Sequence, residues 1–431
     1  MAGSKTALED DGAHSVAGWV TAISPGPASE ASQSVTFTVT DDNPALFAVQ
    51  PAINPSGQLT FTSAANASGL ATVTVTAHDD GGTANGGTNT SAPSSFTITV
   101  LPVNDAPTFS AGANQTLLED SGAQSVAGWA TAISPGPANE SSQSLTFTAS
   151  ADTPSLFAVQ PAVAPDGTLT YTLAPDDSGV ATVTVTAVDN GGTANGGSSA
   201  SSSQTFTITI ILVNHAPTFT AGANQATLED SGTQTIAGWA TTISKGPANE
   251  SSQNVSFTAG ADIPALFSVQ PAIAANGTLT YAPAADANGL ATITVTALDD
   301  GGTANGGSNS SAPMTITITI TAVNDAPTFT AGSDQSVVSL LGAQTVPGWA
   351  TGITPGPADE SSQNVTFNVS STNGGLFAVQ PAIAPDGTLT YTPNLLALGS
   401  STVTVRLRDD GGNANGGSDT SATQTFTITI L

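Results

Sequence analysis

A fixed step of 110 residues organises the whole sequence, and this repetition constrains the fold more than any other feature. A period of this length is too long for one turn of a solenoid and fits one small domain per repeat. The sequence therefore predicts four domains in tandem, at residues 1–102, 103–212, 213–322 and 323–431, called repeats one to four below. The positions that keep the step most visibly are Trp19, Trp129, Trp239 and Trp349, and Phe47, Phe157, Phe267 and Phe377.

The charge balance excludes several kinds of partner. Only 4 Lys and Arg residues stand against 32 Asp and Glu residues, which gives a formal net charge of -28. Phosphate groups would repel such a chain, so we expect no binding to nucleic acid or to an anionic membrane surface. No apolar run is long enough for a membrane helix, and we expect no membrane insertion. The balance favours cations as partners.

Alternation of apolar residues with threonine predicts β-strands. Segments 34–40, 71–77 and 95–100 each place Val, Ile or Phe on one face and Thr or Ser on the other. Short strands separated by Gly, Pro and Asn turns indicate an antiparallel sandwich, and about seven strands fit each repeat. We see no amphipathic helix in the sequence. The fold class is therefore all-β, with four antiparallel β-sandwich domains in an extended array.

The repeated tryptophan allows two interpretations. It lies in an Ala-Gly-Trp segment, which we place in an early strand. An exposed tryptophan stacks on sugars, whereas a buried one fills the largest site of a small core. Because each repeat has few other large side chains, we favour the core.

Acidic and amide residues recur at loop positions. They form a Leu-Glu-Asp segment, a loop acid before the long Val-Thr strand, a Val-Asn-Asp-Ala-Pro linker, and two further loops. Successive loops of a sandwich alternate between its two ends, so each linker should gather acids from the end of one repeat and the start of the next. Six or more hard oxygens at one point are typical of a calcium site. The alternative is that Asp, Asn and Gly only build turns.

Three calcium-binding junctions follow from this arrangement. We predict these ligands for the first junction: Glu9, Asn104, Asp105, Glu140 and Asp189. For the second junction we predict Glu119, Asp176, Asn214, Glu250 and Asp299. For the third junction we predict Glu229, Asp286, Asn324, Asp325, Glu360 and Asp409.

The linker, the Leu-Glu-Asp segment and the Asp-Asp-Gly loop together resemble cadherin repeats. More closely, they resemble the cadherin-like or Ig-like tandem repeats of large bacterial surface proteins and adhesins. The resemblance covers nearly the whole chain, and it includes the segments 169–172, 183–186 and 323–327. It implies calcium at the linkers, and repeats that serve as spacers or as adhesive modules.

Three departures from the repeat pattern matter for the calcium prediction. His215 stands where the other linkers have Asp, and an imidazole is a poor ligand for a hard cation. Asn66 supplies only an amide in repeat one. In repeat four, Ser339 replaces the Glu and Leu396 replaces the loop acid, so we expect no ordinary metal junction after repeat four. We expect the second junction to bind calcium most weakly.

These features predict an extracellular or cell-surface protein that is not an enzyme, because an active site seldom needs four copies in a row. We expect a calcium-stiffened, monomeric rod that works as a spacer, with cell-surface or matrix polymers or like repeats as further partners. The alternatives are a module that adheres directly to itself or to glycans, and the accessory repeats of a secreted enzyme. Both ends interrupt the repeat pattern, so we expect a fragment of a larger secreted protein.

Overall fold

A computed structural model describes residues 3–431, and Met1 and Ala2, with which the predicted repeat one begins, lie outside the described residues. The chain divides into two compact units, one ending at Leu212 and the other running from Val213 to Leu431. Unit 1 holds repeats one and two, and unit 2 holds repeats three and four. The outer boundaries of the four repeats remain a prediction.

Strands make up nearly all of the regular structure, as the Val-Thr alternation predicts. Repeat one contains β1 Ser4–Leu8, β2 Ala13–Val16, β3 Val35–Asp41, β4 Phe47–Ile53, β5 Leu59–Ser63, β6 Gly69–Asp79 and β7 Ser94–Leu101. Repeat two contains β8 Thr108–Ser110, β9 Gln115–Leu118, β10 Ala123–Val126, β11 Thr131–Ser134, β12 Leu145–Ala151, β13 Phe157–Val163, β14 Leu169–Leu173, β15 Gly179–Asp189 and β16 Gln204–Ile211. Repeat three contains β17 Thr218–Thr220, β18 Gln225–Leu228, β19 Gln234–Ile236, β20 Thr241–Ser244, β21 Val255–Ala261, β22 Phe267–Ile273, β23 Leu279–Pro283, β24 Gly289–Asp299 and β25 Met314–Thr321. Repeat four contains β26 Thr328–Thr330, β27 Gln335–Val337, β28 Gln344–Val346, β29 Thr351–Thr354, β30 Thr366–Ser371, β31 Phe377–Ile383, β32 Leu389–Pro393, β33 Gly399–Arg408 and β34 Gln424–Ile430.

The same pair of sheets recurs in every repeat. In repeat one, a four-stranded sheet has the order β1-β7-β6-β3 and faces a three-stranded sheet with the order β2-β5-β4. The edge strand β1 runs parallel to β7, whereas the other pairings are antiparallel. Repeats two, three and four keep both sheets, with the parallel pairs β9-β16, β18-β25 and β27-β34. The predicted all-β fold of tandem sandwiches is confirmed.

The expected count of about seven strands holds for repeat one and is too low for the others. Repeats two, three and four each add a two-stranded sheet, formed by β8 with β11, β17 with β20, and β26 with β29. The first strand of each added pair follows directly from the linker, and the second follows the tryptophan turn, as β8 and β11 do in repeat two. These segments have only three or four residues, and such short strands give little alternation to read.

Each repeat has its own core between its two sheets. In repeat two it is built on Leu169, Tyr171, Val183, Val185 and Ile208, which alternate with exposed or half-buried threonines along their strands. Equivalent clusters occupy the other three repeats.

The repeated tryptophan is a core residue, but its predicted place in an early strand was wrong. It lies in the turn between two strands, for example between β10 and β11 for Trp129. All four tryptophans are only 3–5% exposed. A positive φ of 63° at Gly128 makes this turn, which the Ala-Gly-Trp sequence could have indicated.

Short 3₁₀-helices are the helical elements of the described chain. Each repeat places one after its proline-rich loop, one before the strand that begins with Phe, and one in the Gly-rich loop, namely Ala28–Glu30, Pro44–Leu46, Ala84–Gly86, Ala138–Glu140, Pro154–Leu156, Ala194–Gly196, Ala248–Glu250, Pro264–Leu266, Ala304–Gly306, Ala358–Glu360, Gly374–Leu376 and Ala414–Gly416. Within residues 3–431, no helix has the length and hydrophobicity needed to span a membrane.

Candidate metal centres at the repeat junctions

The linker asparagine is the anchor of the first junction. The amide of Asn104 donates to Asp189 Oδ1 at 3.0 Å and to the Ser198 carbonyl at 2.7 Å, and its Oδ1 accepts from Gln143 Nε2 at 2.7 Å. Asn104 thus lies in a slot at the upper end of repeat two. The slot requires glycine at position 191, because a Cβ there would lie 1.7 Å from Asn104 Oδ1.

Carboxylates from both repeats hold the backbone of the first linker. Glu9, at the lower end of repeat one, accepts from the Val103 N–H at 2.8 Å. Glu140, at the upper end of repeat two, accepts from the Asp105 N–H at 2.9 Å. The structure therefore brings Glu9, Asn104, Asp105, Glu140 and Asp189 to one linker. Asn66 is exposed, and its N–H donates to Asp10 at 3.1 Å.

The third junction repeats this arrangement in unit 2. Asn324 donates to Asp409 Oδ1 at 3.0 Å and to the Ser418 carbonyl at 2.9 Å, and Gln363 donates to Asn324 at 2.8 Å. The Asp325 N–H donates to Glu360 Oε1 at 2.8 Å. Glu229 accepts from the N–H of Val323.

A second group of acids lies beside the third linker. Carboxylate oxygens of Asp230, Asp286 and Asp325 lie within 4.8 Å of one another. Two oxygens that bind one Ca²⁺ at 2.3–2.6 Å are at most about 5 Å apart, so this spacing fits a shared calcium ion. Asn288 adds a link between the two repeats, because its amide donates to Glu229 at 3.1 Å and to Asp359 at 2.9 Å.

Several buried carboxylate oxygens at the junctions have no partner among the described residues. At the first junction they are Asp105 Oδ2, Glu140 Oε2 and Asp189 Oδ2, and at the third junction they are Glu360 Oε2 and Asp409 Oδ2. A buried charged oxygen without a hydrogen bond is costly. The other carboxylate oxygen accepts a hydrogen bond in Glu140, Asp189, Glu360 and Asp409, and the fifth residue, Asp105, lies in the linker itself. The unpaired oxygens of these residues are therefore available for a cation.

The pKa shifts of carboxylates at the first and third junctions also favour a bound cation. Burial raises the pKa of Glu9 above its ordinary value, and the charges of Asp10, Asp105 and Glu140 raise it further. Burial also raises the pKa of Asp325 and of Glu360, and neighbouring carboxylates add to both shifts. Carboxylates that repel one another in a partly dry site are stabilised when a cation binds among them.

The residues predicted for the second junction belong to two units and are described within each. In unit 1, Glu119 is buried, its N–H donates to the Ile211 carbonyl at 2.9 Å, and the Asp176 N–H donates to Asp120 at 2.9 Å. In unit 2, Asn214 donates to Asp299 at 2.9 Å, as its counterparts do. The substitution in this linker has a visible effect, since His215 Nδ1 lies 3.0 Å from Glu250 Oε1. The imidazole thus contacts an oxygen that in the other linkers accepts only the backbone N–H.

Some site residues were missed from the sequence although a signal for them exists. Asp10, Asp120 and Asp230 follow each predicted Glu at the same step, and the structure places Asp230 in the acid cluster. Gln143, Gln253 and Gln363 also keep the step, and each donates to a linker Asn. Asp359 and Asn288 do not repeat, so the sequence carries no periodic signal for them.

No protein-family model matches the sequence, and no curated protein matches it. Solved structures to which the chain is similar include extracellular cadherin repeats. Protocadherin Gamma B2 extracellular cadherin domains 1-5 is 15% identical, with 99% of this chain and 79% of that chain covered and a TM-score of 0.44. Mouse Cadherin-23 EC22-24 is 17% identical, with 76% and 99% covered and a TM-score of 0.38. Drosophila N-cadherin EC1-4 is 16% identical, with 99% and 98% covered and a TM-score of 0.29. Because these TM-scores lie below 0.5, the fold assignment rests on the strand order and registers of this chain.

Proposed function

We propose that this chain is a calcium-stiffened spacer region of an extracellular surface or adhesion protein, and that it is not an enzyme. The observation that carries the proposal is the convergence of carboxylate oxygens, several of them buried and unpaired, on the linkers of the first and third junctions. The resemblance of its motifs to the repeats of large bacterial surface proteins and adhesins supports a role of this kind.

Calcium suits these junctions better than other common cations. The donors are carboxylates and amide side chains, which offer hard oxygen ligands, and their number exceeds what magnesium usually takes from protein. At the third junction, Glu229, Asp230, Asp286, Asp325 and Glu360 would hold the ion, with Asn324 and Asp409 alongside. At a hundredfold excess over its dissociation constant, calcium would stabilise each site by about 2–3 kcal/mol.

Charge repulsion between the carboxylates determines how easily these linkers bend. Acids from two repeats approach one another at the first and third linkers, and they repel when no cation lies between them. A bound ion would join the lower end of one repeat to the upper end of the next, and the linker would then resist bending. The same chain in chelator would be more flexible.

Calcium titration calorimetry on the full chain tests this proposal, with Mg²⁺ as the competing cation. We expect calcium binding and a rise in melting temperature that chelator reverses. Asp325→Asn should lower the calcium response of unit 2, because Asp325 belongs to both the linker and the acid cluster. Asp386→Asn is the matched control in the same repeat, since Asp386 lies in an exposed turn and accepts from the nearby Thr388 N–H. A melting curve that calcium leaves unchanged would remove the proposed function.

The rival interpretation as a glycan-binding module has less support. The large aromatic side chains that stack on sugars would have to be exposed, whereas Trp129, Trp239 and Trp349 are 3–4% exposed. Binding of this chain to a glycan array would favour the rival.

A further inference from the structure

Both arginines of the chain lie on one strand of repeat four. Arg406 and Arg408 belong to β33, and they are two of the 4 Lys and Arg residues in the whole sequence. Along this strand Val405 and Leu407 are buried, whereas the two arginines are exposed. Because side chains alternate between the faces of a sheet, both guanidinium groups belong to the outer face of the larger sheet.

The residues of this face depart from those of the other repeats. Position 406 is Thr in the other three repeats, and position 408 is His, Val or Leu. Four neighbouring positions change as well, since repeat four alone has Asn368, Asn413, Asp419 and Thr423. The buried alternation of the strand is retained, so the changes concern the outer face rather than the core.

A carboxylate from the neighbouring loop holds Arg408. Its Nε and Nη2 donate to Asp419 Oδ2 at 2.9 and 2.7 Å. Asp419 is itself fixed, because its N–H donates to Asn413 Oδ1 at 2.9 Å and its Oδ1 accepts from Thr420 at 2.9 Å. The side chain of Asp419 is 9% exposed and that of Arg408 is 55% exposed. The ion pair therefore orients a guanidinium group that still faces water.

Arg406 carries the uncompensated positive charge of this face. Its Nε donates to Thr423 Oγ1 at 2.7 Å, which fixes the plane of the guanidinium group. Within residues 3–431, its two terminal nitrogens have no hydrogen-bond partner and no carboxylate forms an ion pair with it. Arg406 lines an open groove of about 300 Å³ together with Asn368, Ser370 and Thr404. The groove thus combines a guanidinium group, an amide and two hydroxyls.

We propose that this surface, called the arginine face and made of Asn368, Ser370, Thr404, Arg406 and Arg408, binds an acidic polysaccharide through the carboxylates of its uronate sugars. This goes beyond the spacer function, because it would attach the side of repeat four to a matrix or cell-surface polymer. It involves neither calcium nor the buried tryptophans.

The position of the arginines in the sheet favours a polysaccharide over a peptide. β33 is paired on both sides, with β34 and with β30, so an extended peptide cannot join it as an added strand. Recognition must come from side chains. Guanidinium groups pair with carboxylates, and Thr, Ser and Asn side chains pair with hydroxyls. A polymer of uronate and neutral sugars offers both kinds of group along its length, whereas an acidic peptide offers few hydroxyls.

Charge complementarity at this face is local. The chain as a whole has a net charge of -28, but at physiological ionic strength charges more than about 8 Å away are largely screened. Arg406 and Arg408 occupy successive outward positions, which are about 7 Å apart along a strand. A nucleic acid carries a charge about every 1.7 Å and would be repelled by the remaining acids. A polymer in which uronates alternate with neutral sugars has a lower charge density and suits two arginines better.

Saturation-transfer NMR of the full chain tests the proposal, because it measures weak affinities. The probe is a decasaccharide in which glucuronate alternates with N-acetylglucosamine, in buffer freed of calcium on a chelating resin. We expect saturable binding that weakens as salt rises, and no binding of the same decasaccharide after methyl esterification of its carboxylates. Arg406→Thr, which restores the residue of the other repeats, should weaken binding about tenfold through loss of charge-assisted hydrogen bonds.

Lys245→Pro is the matched control. It also removes one positive charge and restores the residue of the other repeats, but Lys245 lies in repeat three. Its affinity for the decasaccharide should equal that of the unchanged chain. The melting temperatures of both variants show that they remain folded.

Four outcomes would overturn the proposal: no binding of the decasaccharide, equal binding of its methyl ester, unchanged affinity of Arg406→Thr, or equal weakening by Lys245→Pro. A glutamate peptide with the same number of carboxylates is run in parallel. Tighter binding of this peptide would also overturn the proposal and assign the arginine face to an acidic protein. Because calcium is absent throughout, failure here leaves the calcium proposal standing.

Discussion

Replacement of the linker residue Asn324 would show how much the linker slot contributes to the stability of unit 2 when no metal is bound. Asn324→Ala removes two donated bonds, to Asp409 and to the Ser418 carbonyl, and one accepted bond from Gln363. The backbone carbonyl of Asn324 keeps its bond from the Ser418 N–H. The substitution therefore removes side-chain bonds while the linker backbone retains one of its contacts.

The magnitude follows from these three bonds. Each contributes about 1 kcal/mol net, and the buried groups left behind add to the cost. Asp409 still accepts from the Gly411 N–H at 3.0 Å, which limits the loss on that side. We expect a decrease of about 3 kcal/mol in the free energy of unfolding of unit 2. For a unit of this size, that corresponds to a decrease of about 6–12 °C in its melting temperature.

Differential scanning calorimetry of the full chain in chelator measures this decrease, with the transitions of the two units resolved. Asn364→Ala is the matched control, because Asn364 makes one exposed side-chain bond to Asp410 at 2.9 Å in the same repeat. We expect the control to lose about 1 kcal/mol or less. A decrease for Asn324→Ala no larger than that of the control would refute the reasoning that the slot fixes the linker.

Three further outcomes are expected. The Thr182 N–H donates to Asp152 and lowers the pKa of that carboxyl, so this bond stabilises the fold above pH 3.8 and is lost as the pH falls through the lowered pKa. Asp152→Thr should therefore flatten the decline of the melting temperature below pH 4. An unchanged decline would contradict this role of Asp152. His215→Asp should tighten calcium binding in calorimetry, because a carboxylate would replace the imidazole beside Glu250, and equal affinity would argue against a ligand role for this position. Small-angle scattering should show a more extended and less variable particle in calcium than in chelator, and identical profiles would count against stiffening by metal.

The sequence alone determined the repeat, the fold class and most of the linker residues. Period-two alternation of Val and Thr identifies a half-buried strand because side chains alternate between the faces of a sheet. The fixed step also marked Asn104, Asn214 and Asn324 as equivalent, and each donates to an aspartate, namely Asp189, Asp299 and Asp409. Local propensity and periodicity are properties of the chain itself, so they can be read from the sequence alone.

Tertiary structure decided which of these residues meet, which oxygens stay unpaired and which apolar side chains stay in water. Asp230 and Asp325 are distant in sequence and come together only when two repeats are placed end to end. The tryptophan turn and the two added strands depend on a glycine with positive φ and on pairings between short segments, for which the pattern is weak. Leu396 reads as a lost ligand in the sequence, whereas its φ and exposure show a strained apolar residue that faces water. Exposure and contact depend on how distant segments pack, and the periodic pattern of a sequence does not specify that packing.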